Sequence, residues 1–259
     1  MYIMKLKKVI SLLLTLSMFL CGAGSVGYAL FTNEEYYSCF EKQDSSKIIV
    51  SKVSEEDKET FKNMTDQDPE FNKYLGSGIE NFNSSEYLEL LEYESKLFFT
   101  VKNIDNVILG FVIIDEGTNK NQLSVGYFIG KEFRGKGYAH LAVSYIISKI
   151  WNLDKSVSFW FCIDDENIAS LKTLEKICAD LKTEFIKSNH TSVEIQAKET
   201  EDGKYLIETY INGDLINSNT TTKERILELY SEEKLESGML SKGSSSTYLI
   251  ENPDLYGKD

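Results

Sequence analysis

The sequence predicts an α+β domain, an α/β arrangement in which a central mixed, mostly antiparallel sheet is flanked by helices. Two apolar runs, residues 97–101 and 108–114, are joined by the short polar turn Asn103-Ile104-Asp105-Asn106, which is the form of a β-hairpin. A third run, 125–129, alternates in the manner of a strand, breaks at Gly130, passes through Phe133-Arg134-Gly135-Lys136-Gly137 and takes up helical spacing as far as Trp151. Residues 157–163 are then continuously apolar, as a strand buried in the middle of a sheet would be.

The remaining elements follow in order. Lys47-Ile48-Ile49-Val50 reads as a strand. Ser54, with Asp57 three residues later and then Phe61 and Met64, is a capping box opening a helix. Asp68-Pro69 interrupts that helix, and Phe71, Tyr74 and Leu75 resume its spacing; residues 84–93 read as another helix. After the strand at 157–163, Ile168, Leu171, Leu174 and Ile177 share one helical face. Segments 184–187, 193–198 and 204–211 read as strands, the last two joined through Asp202-Gly203. Residues 221–235 have helical spacing, and the Ser- and Gly-rich tail, 238–259, reads as loose.

The first 29 residues have the form of an export signal: Lys5, Lys7 and Lys8, an apolar run over 9–20, and small residues ending in Gly27-Tyr28-Ala29. Cleavage there predicts a secreted protein; an uncleaved run extended to Ala29 would instead anchor the chain in a membrane. The expected organisation is a signal or anchor at 1–29, a linker at 30–46, a domain at 47–215, and a helical extension with a loose tail at 216–259.

With 28 basic and 41 acidic residues the chain carries a net charge of −13. An acidic surface repels nucleic acid and anionic membrane, so neither is expected as a partner, apart from a membrane met through the N-terminal segment. The same charge steers cations toward the protein. Cys21, Cys39, Cys162 and Cys178 are widely spaced and His140 and His190 stand far apart, so no disulfide framework and no metal site is expected.

The chemistry concentrates in the glycine turn. Gly135 and Gly137 can take positive φ, the free N–H groups of a helix's first turn attract an anion, and Arg134 and Lys136 add the charge a diphosphate would use. The alternative is a tight turn with two solvated basic residues. A nucleotide P-loop is nearly spelled by Gly130, Gly135 and Lys136, but Gly137 stands where a magnesium-binding hydroxyl is needed.

Arg134-Gly135-Lys136-Gly137-Tyr138-Ala139 resembles the R/Q-x-x-G-x-G/A signature of the GNAT superfamily of N-acyltransferases. Val125-Gly126-Tyr127-Phe128-Ile129 resembles the strand before that signature. Asn167-Ile168-Ala169-Ser170, followed by Leu174-Glu175-Lys176, resembles the segment after the next strand. The pattern is most similar to the ribosomal-protein N-acetyltransferase branch and spans about residues 47–187. The resemblance implies a GNAT acyl-CoA N-acyltransferase fold. It also implies acetyl-CoA as co-substrate, no metal, and an amine-bearing acceptor: a protein N-terminus, a lysine or a small amine. Residues 134–139, which include Arg134, Gly135, Lys136, Gly137, Tyr138 and Ala139, would cradle the pyrophosphate. The pantetheine arm would lie against Tyr127, Phe128 and Ile129, with a β-bulge splaying that strand from the next, and Asn167 would hydrogen-bond the arm.

Two positions depart from the family pattern: Ser124 replaces the usual Glu, and Leu174 replaces the usual acid Tyr. The ribosomal-protein branch also lacks that Tyr and has the Ser that matches Ser170, so the resemblance implies Ser170 as the residue that serves the leaving thiolate. Plain structural roles stand beside these: Asn167 as a helix N-cap, Ser170 as a polar first-turn residue, His140 as a surface residue, Cys162 as a small core residue. The lost Glu and Tyr also admit a binding module that keeps the fold without catalysis.

Overall fold

The computed structural model describes residues 48–74, 85, 88, 97–116, 121–228 and 230–255. The leader, the linker, Cys21, Cys39 and nearly all of the helix expected at 84–93 lie outside the described residues. No helix among the described residues is long and apolar enough to cross a membrane.

The chain begins with β1 (Ile49–Lys52), α1 (Glu55–Asp66) and α2 (Pro69–Tyr74). Next come β2 (Leu97–Lys102), β3 (Ile108–Glu116) and β4 (Gln122–Ile129), the expected antiparallel series. Helix α3 (Tyr138–Leu153) crosses to β5 (Ser158–Asp164), which lies parallel to β4, and α4 (Ile168–Leu181) follows. Then come β6 (Phe185–Glu199), β7 (Tyr205–Ile211), β8 (Asp214–Thr221), α5 (Lys223–Leu227), α6 (Glu232–Ser237) and β9 (Met239–Ile250). Among the described residues, the nine strands form one sheet in the order β1-β2-β3-β4-β5-β9-β6-β7-β8.

Three clusters of buried residues hold the layers together. The largest packs α3 and α4 on the sheet, through Ala142, Ile146 and Ile150 of α3, Leu174 and Ile177 of α4, and Phe159 and Phe161 of β5. On the other side of β2, β3 and β4, Phe61 and Phe71 of α1 and α2 meet Phe98, Phe111 and Phe128. A third cluster joins Ile226 and Leu235 of α5 and α6 to Ile195, Ala197 and Leu240.

The tail is not loose. Residues 239–250 form β9, a central strand paired with β5 on one side and β6 on the other. Its Ser-rich middle hides the strand because its hydroxyls are satisfied internally: Ser246 is fully buried and donates to Asp165. The sheet therefore runs on past residue 215, where a domain boundary was expected, and closes only with β9. Segments 184–187 and 193–198 are likewise one strand. Register shifts between Lys187 and Asn189, and such a bulge moves the alternate side chains to the opposite face. Of the helix expected at 221–235, two short pieces form, capped by Thr222 and Ser231.

The capping box at the start of α1 is present. Ser54 N–H donates to Asp57 Oδ2 at 3.0 Å, and Asp57 N–H to Ser54 Oγ at 3.3 Å. Asp57 also accepts from Thr100 Oγ1 at 2.9 Å and pairs with Lys102 Nζ at 2.9 Å, tying α1 to β2. Burial pushes its carboxyl up, but Lys102, the Ser54 N–H and the two hydroxyls outweigh it and hold the group below the usual carboxylate range. The stability this adds is present above the unfolded value, about 4, and is lost as pH falls through the lower folded value. Asp57→Asn is expected to cost about 1–2 kcal/mol at pH 7. Urea unfolding at pH 7 and pH 3 checks this, since the gap from wild type should narrow at the lower pH.

Candidate active site

β4 ends where Gly130 N–H donates to the Leu109 carbonyl at 2.9 Å, and a single 3-10 turn, Lys131–Phe133, leads to Arg134. Arg134 is a structural tie, not a free charge for a ligand. Its Nε donates to the Ile129 carbonyl at 2.9 Å, its guanidinium pairs with Asp68 and Glu70 at the head of α2, and it lies over the Phe128 ring. Of the two cations expected to serve a diphosphate, Lys136 remains. It is held by the Glu132 carbonyl at 3.1 Å and not by an acid.

Gly135 and Gly137 have φ of +75° and +84°, as the turn requires, and a Cβ on Gly135 would meet nothing within 4 Å. Among the described residues, no protein acceptor takes the N–H groups of residues 135–140, from Gly135 to His140. These six consecutive donors end in the first turn of α3, where Tyr138 and Ala139 stand and the helix dipole adds positive potential. An exposed row of amides backed by a 16-residue helix fits an anion of diphosphate size. The P-loop reading does not fit, because β2, β3 and β4 run antiparallel into the turn.

The slot beside this cradle is a splay between parallel strands. β4 and β5 pair only at Gln122, Leu123 and Ser124, opposite Ser158, Phe159 and Trp160, and then part. No β-bulge produces the splay: the register of β3 with β4 is unbroken from Gly110↔Ile129 to Glu116↔Leu123. Because Gly130 bonds toward β3, strand alternation turns Val125, Tyr127 and Ile129 away from β3; the Ser124–Trp160 pairing takes the Val125 N–H, and the Val125 C=O with the backbone groups of Tyr127 and Ile129 face the open gap. Ile129 C=O is taken by Arg134, and Phe128 faces β3 with its ring buried in the aromatic cluster. An extended ligand could therefore pair with the Val125 C=O, with Tyr127 and with the Ile129 N–H, whereas Phe128 does not face the gap.

Opposite the gap stands the start of α4. Asn167 is its N-cap, with Oδ1 accepting from Ser170 N–H at 3.0 Å, which leaves the amide NH₂ to donate elsewhere. The loop carrying Asn167 is held by β9. Asp165 N–H donates to the Ser244 carbonyl, the Ser244 and Ser246 hydroxyls donate to its carboxylate at 2.6 and 2.7 Å, and His190 Nδ1 lies 3.3 Å away. Burial raises the Asp165 carboxyl, but these hydroxyls, then His190 and Lys187, hold it below its usual range.

Ser170 Oγ lies 2.7 Å from the Tyr127 hydroxyl, which reaches across from β4. Burial pushes that phenol up to about 12, although Ser170 and Thr173 pull the other way. Nothing in the sequence signals this pair, since 43 residues separate its members. Leu174, in the place of the family's Tyr, is fully buried in the main core. His140 faces Asp180, with Nε2 3.6 Å from its carboxylate. Cys162 is exposed, not a core residue, because β5 turns it to the face away from α3 and α4.

The family model for the acetyltransferase (GNAT) domain matches residues 47–178, just over half of the chain. Among solved structures, a GNAT-family acetyltransferase from Bacillus anthracis is similar at 14% identity and TM-score 0.53, covering 82% of this chain and 98% of its own. Spermidine N-acetyltransferase from Vibrio cholerae, in complex with CoA and spermine, is similar at 14% identity and TM-score 0.51, over 80% of this chain and 97% of its own. Ribosomal-protein-S5-alanine acetyltransferase from Vibrio fischeri is similar at 17% identity and TM-score 0.48, over 82% and 97%. No curated protein sequence matches the chain. The signature turn, the splayed parallel pair and the family match agree: the chain belongs to the GNAT acetyltransferase family.

Proposed function

We propose that the protein is an acyl-CoA-dependent N-acyltransferase that moves an acetyl group from acetyl-CoA to a primary amine by direct transfer. The observation that carries this reading is the row of six amides, residues 135–140, that no described residue accepts from, at the mouth of the splay between β4 and β5. The amides and Lys136 receive the pyrophosphate. The Val125 carbonyl, Tyr127 and the Asn167 amide receive the pantetheine arm, and the gap holds the thioester.

In the reaction the amine lone pair attacks the thioester carbonyl carbon. The C–N bond forms, the C–S bond breaks with its electron pair leaving on sulfur, and the proton lost by the amine balances the thiolate as free thiol. Holding both partners in line supplies much of the rate enhancement, and this chain supplies it through backbone and shape. Ser124 and Leu174 offer neither a base nor an acid, so the acceptor amine arrives neutral or passes its proton to water. The acidic chain favours acceptors bearing further positive charge. The acceptor is a small polyamine, a lysine or a protein N-terminus.

The buried Leu174 and the Ser124 substitution favour a second reading, a domain that binds acyl-CoA without turning it over. Thiol release from acetyl-CoA, followed with spermidine and with a peptide bearing an N-terminal alanine, separates the two. Turnover with either supports the transferase, whereas tight acetyl-CoA binding with no release on any amine supports the binder. The leader leads us to propose export or membrane anchoring, which N-terminal sequencing of the mature protein would distinguish.

A further inference from the structure

We infer that Tyr127 is a positioning residue for the acyl transfer: its hydroxyl fixes the Ser170 hydroxyl so that the serine proton is presented to the departing sulfur. The inference rests on the transferase reading above and adds a residue to it.

A serine in the first turn of a helix has a rotor of three positions, and one of them points back to a carbonyl of its own helix. A hydroxyl spent in that way cannot donate to a ligand. Here the Tyr127 hydroxyl stands 2.7 Å from Ser170 Oγ, a contact in which either hydroxyl can donate. Its single proton can also go to the Ser170 carbonyl at the longer distance of 3.3 Å, and we assign it to the shorter contact. When the phenol donates to Oγ, the serine lone pair on that side is occupied and its proton is free to turn outward. The two bonds then polarise in series, each strengthening the other. Tyr127 comes from β4 and Ser170 from α4, so the pair bridges the two walls of the splay. The first-turn amides of α4 lie beside it, and the Ala169 N–H has no acceptor among the described residues.

The chemistry asks for a donor at this place. When the C–S bond breaks, sulfur takes the electron pair, and a hydrogen bond that strengthens as that charge grows lowers the barrier. Tyr127 itself does not hand over a proton. A phenol pushed up to about 12 stays protonated through the working range and is a poor acid toward the leaving thiolate. It acts as a fixed donor behind the serine. The proton that completes the thiol comes from the acceptor amine.

The test is a cycle of Tyr127→Phe, Ser170→Ala and the double variant in the full chain, with Ser170→Thr as the conservative change. Thiol release is read with spermidine or the alanine peptide, alongside acetyl-CoA affinity and melting temperature. The expected result for Tyr127→Phe is a kcat lower by about tenfold to a hundredfold, with acetyl-CoA affinity and melting temperature near wild type. Ser170→Thr should keep most of the rate, and the double variant should be no slower than Ser170→Ala alone, since the two hydroxyls act as one unit. Wild-type kcat in Tyr127→Phe would overturn the inference, as would effects that multiply in the double variant. A loss in Tyr127→Phe that appears as weaker binding and lower melting would mark the contact as packing only. A wild-type protein that binds acetyl-CoA but releases no thiol defeats the transferase reading itself, and this inference with it. Turnover in wild type with an indifferent Tyr127→Phe defeats the inference alone.

Discussion

Arg134→Ala is expected to destabilise the protein by about 2–4 kcal/mol and to weaken acetyl-CoA binding with it. Asp68 is 3% exposed, and its charge is neutralised by the guanidinium, which is itself 31% exposed. Removing the arginine leaves a carboxylate buried without its partner, the costly way to break an ion pair; partial solvation of the guanidinium keeps the loss below the extreme. The same residue holds the Ile129 carbonyl at the end of β4, so the glycine turn loses its tie to both β4 and α2. Urea unfolding of Arg134→Ala should be partly rescued by adding Asp68→Asn, which removes the stranded charge. Glu70→Gln should move stability by less than about 0.5 kcal/mol, since that partner is 63% exposed. A loss no larger for Arg134→Ala than for Glu70→Gln would contradict this account of the turn.

Phe61→Ala is expected to cost about 3–5 kcal/mol. The ring is fully buried and makes edge-to-face contacts with Phe71, Phe98 and Phe111 at centroid distances of 6.0, 5.7 and 5.0 Å. It joins α1 to α2 and to two strands of the sheet, so truncation opens a cavity in the second core layer and loosens the helix that Arg134 grips. At about 2–4 °C per kcal/mol for a domain of this size, melting should fall by roughly 10 °C. Phe61→Leu keeps most of the volume and should cost no more than about 1.5 kcal/mol. A fall of only a degree or two for Phe61→Ala would show that the aromatic layer does not hold α1 to the sheet.

The elements read correctly from the sequence were those whose signal is local. The Ser54–Asp57 box, the hairpin of β2 and β3, the turn at Gly135 and the faces of α3 and α4 each declare themselves within one short, continuous segment. β9 did not, because a central strand with Ser244, Ser245 and Ser246 in its middle has the composition of a tail. The Ser244 and Ser246 hydroxyls find their partner in Asp165, some 80 residues earlier, which no local pattern reveals. β6 reads as two pieces because a bulge changes the phase of its alternation at Ser188. β8 has a local signal too: Asn212-Gly213 is the dipeptide of a two-residue hairpin, and Asn212 has φ of +52°.

The site divides in the same way. The amide cradle follows from glycine spacing and a helix start, so its place could be read from one segment. Which side chains are free to serve a ligand could not, because that depends on distant partners. Arg134 looks like a free cation until Asp68 and Glu70 meet it. Ser170 looks like a plain helix residue until Tyr127 crosses the gap.

Isothermal titration of acetyl-CoA into the protein, beside the Gly135→Glu, Gly137→Glu double variant, tests the central claim most directly. Side chains at these two positive-φ positions strain the turn, and two carboxylates face the pyrophosphate with like charge. The cradle predicts saturable binding to the wild type and none to the variant, which stays folded at the titration temperature although the strain lowers its melting by several degrees. Equal binding by both proteins would place acetyl-CoA elsewhere, and no binding by a folded wild type would contradict the reading of this turn as an acyl-CoA site.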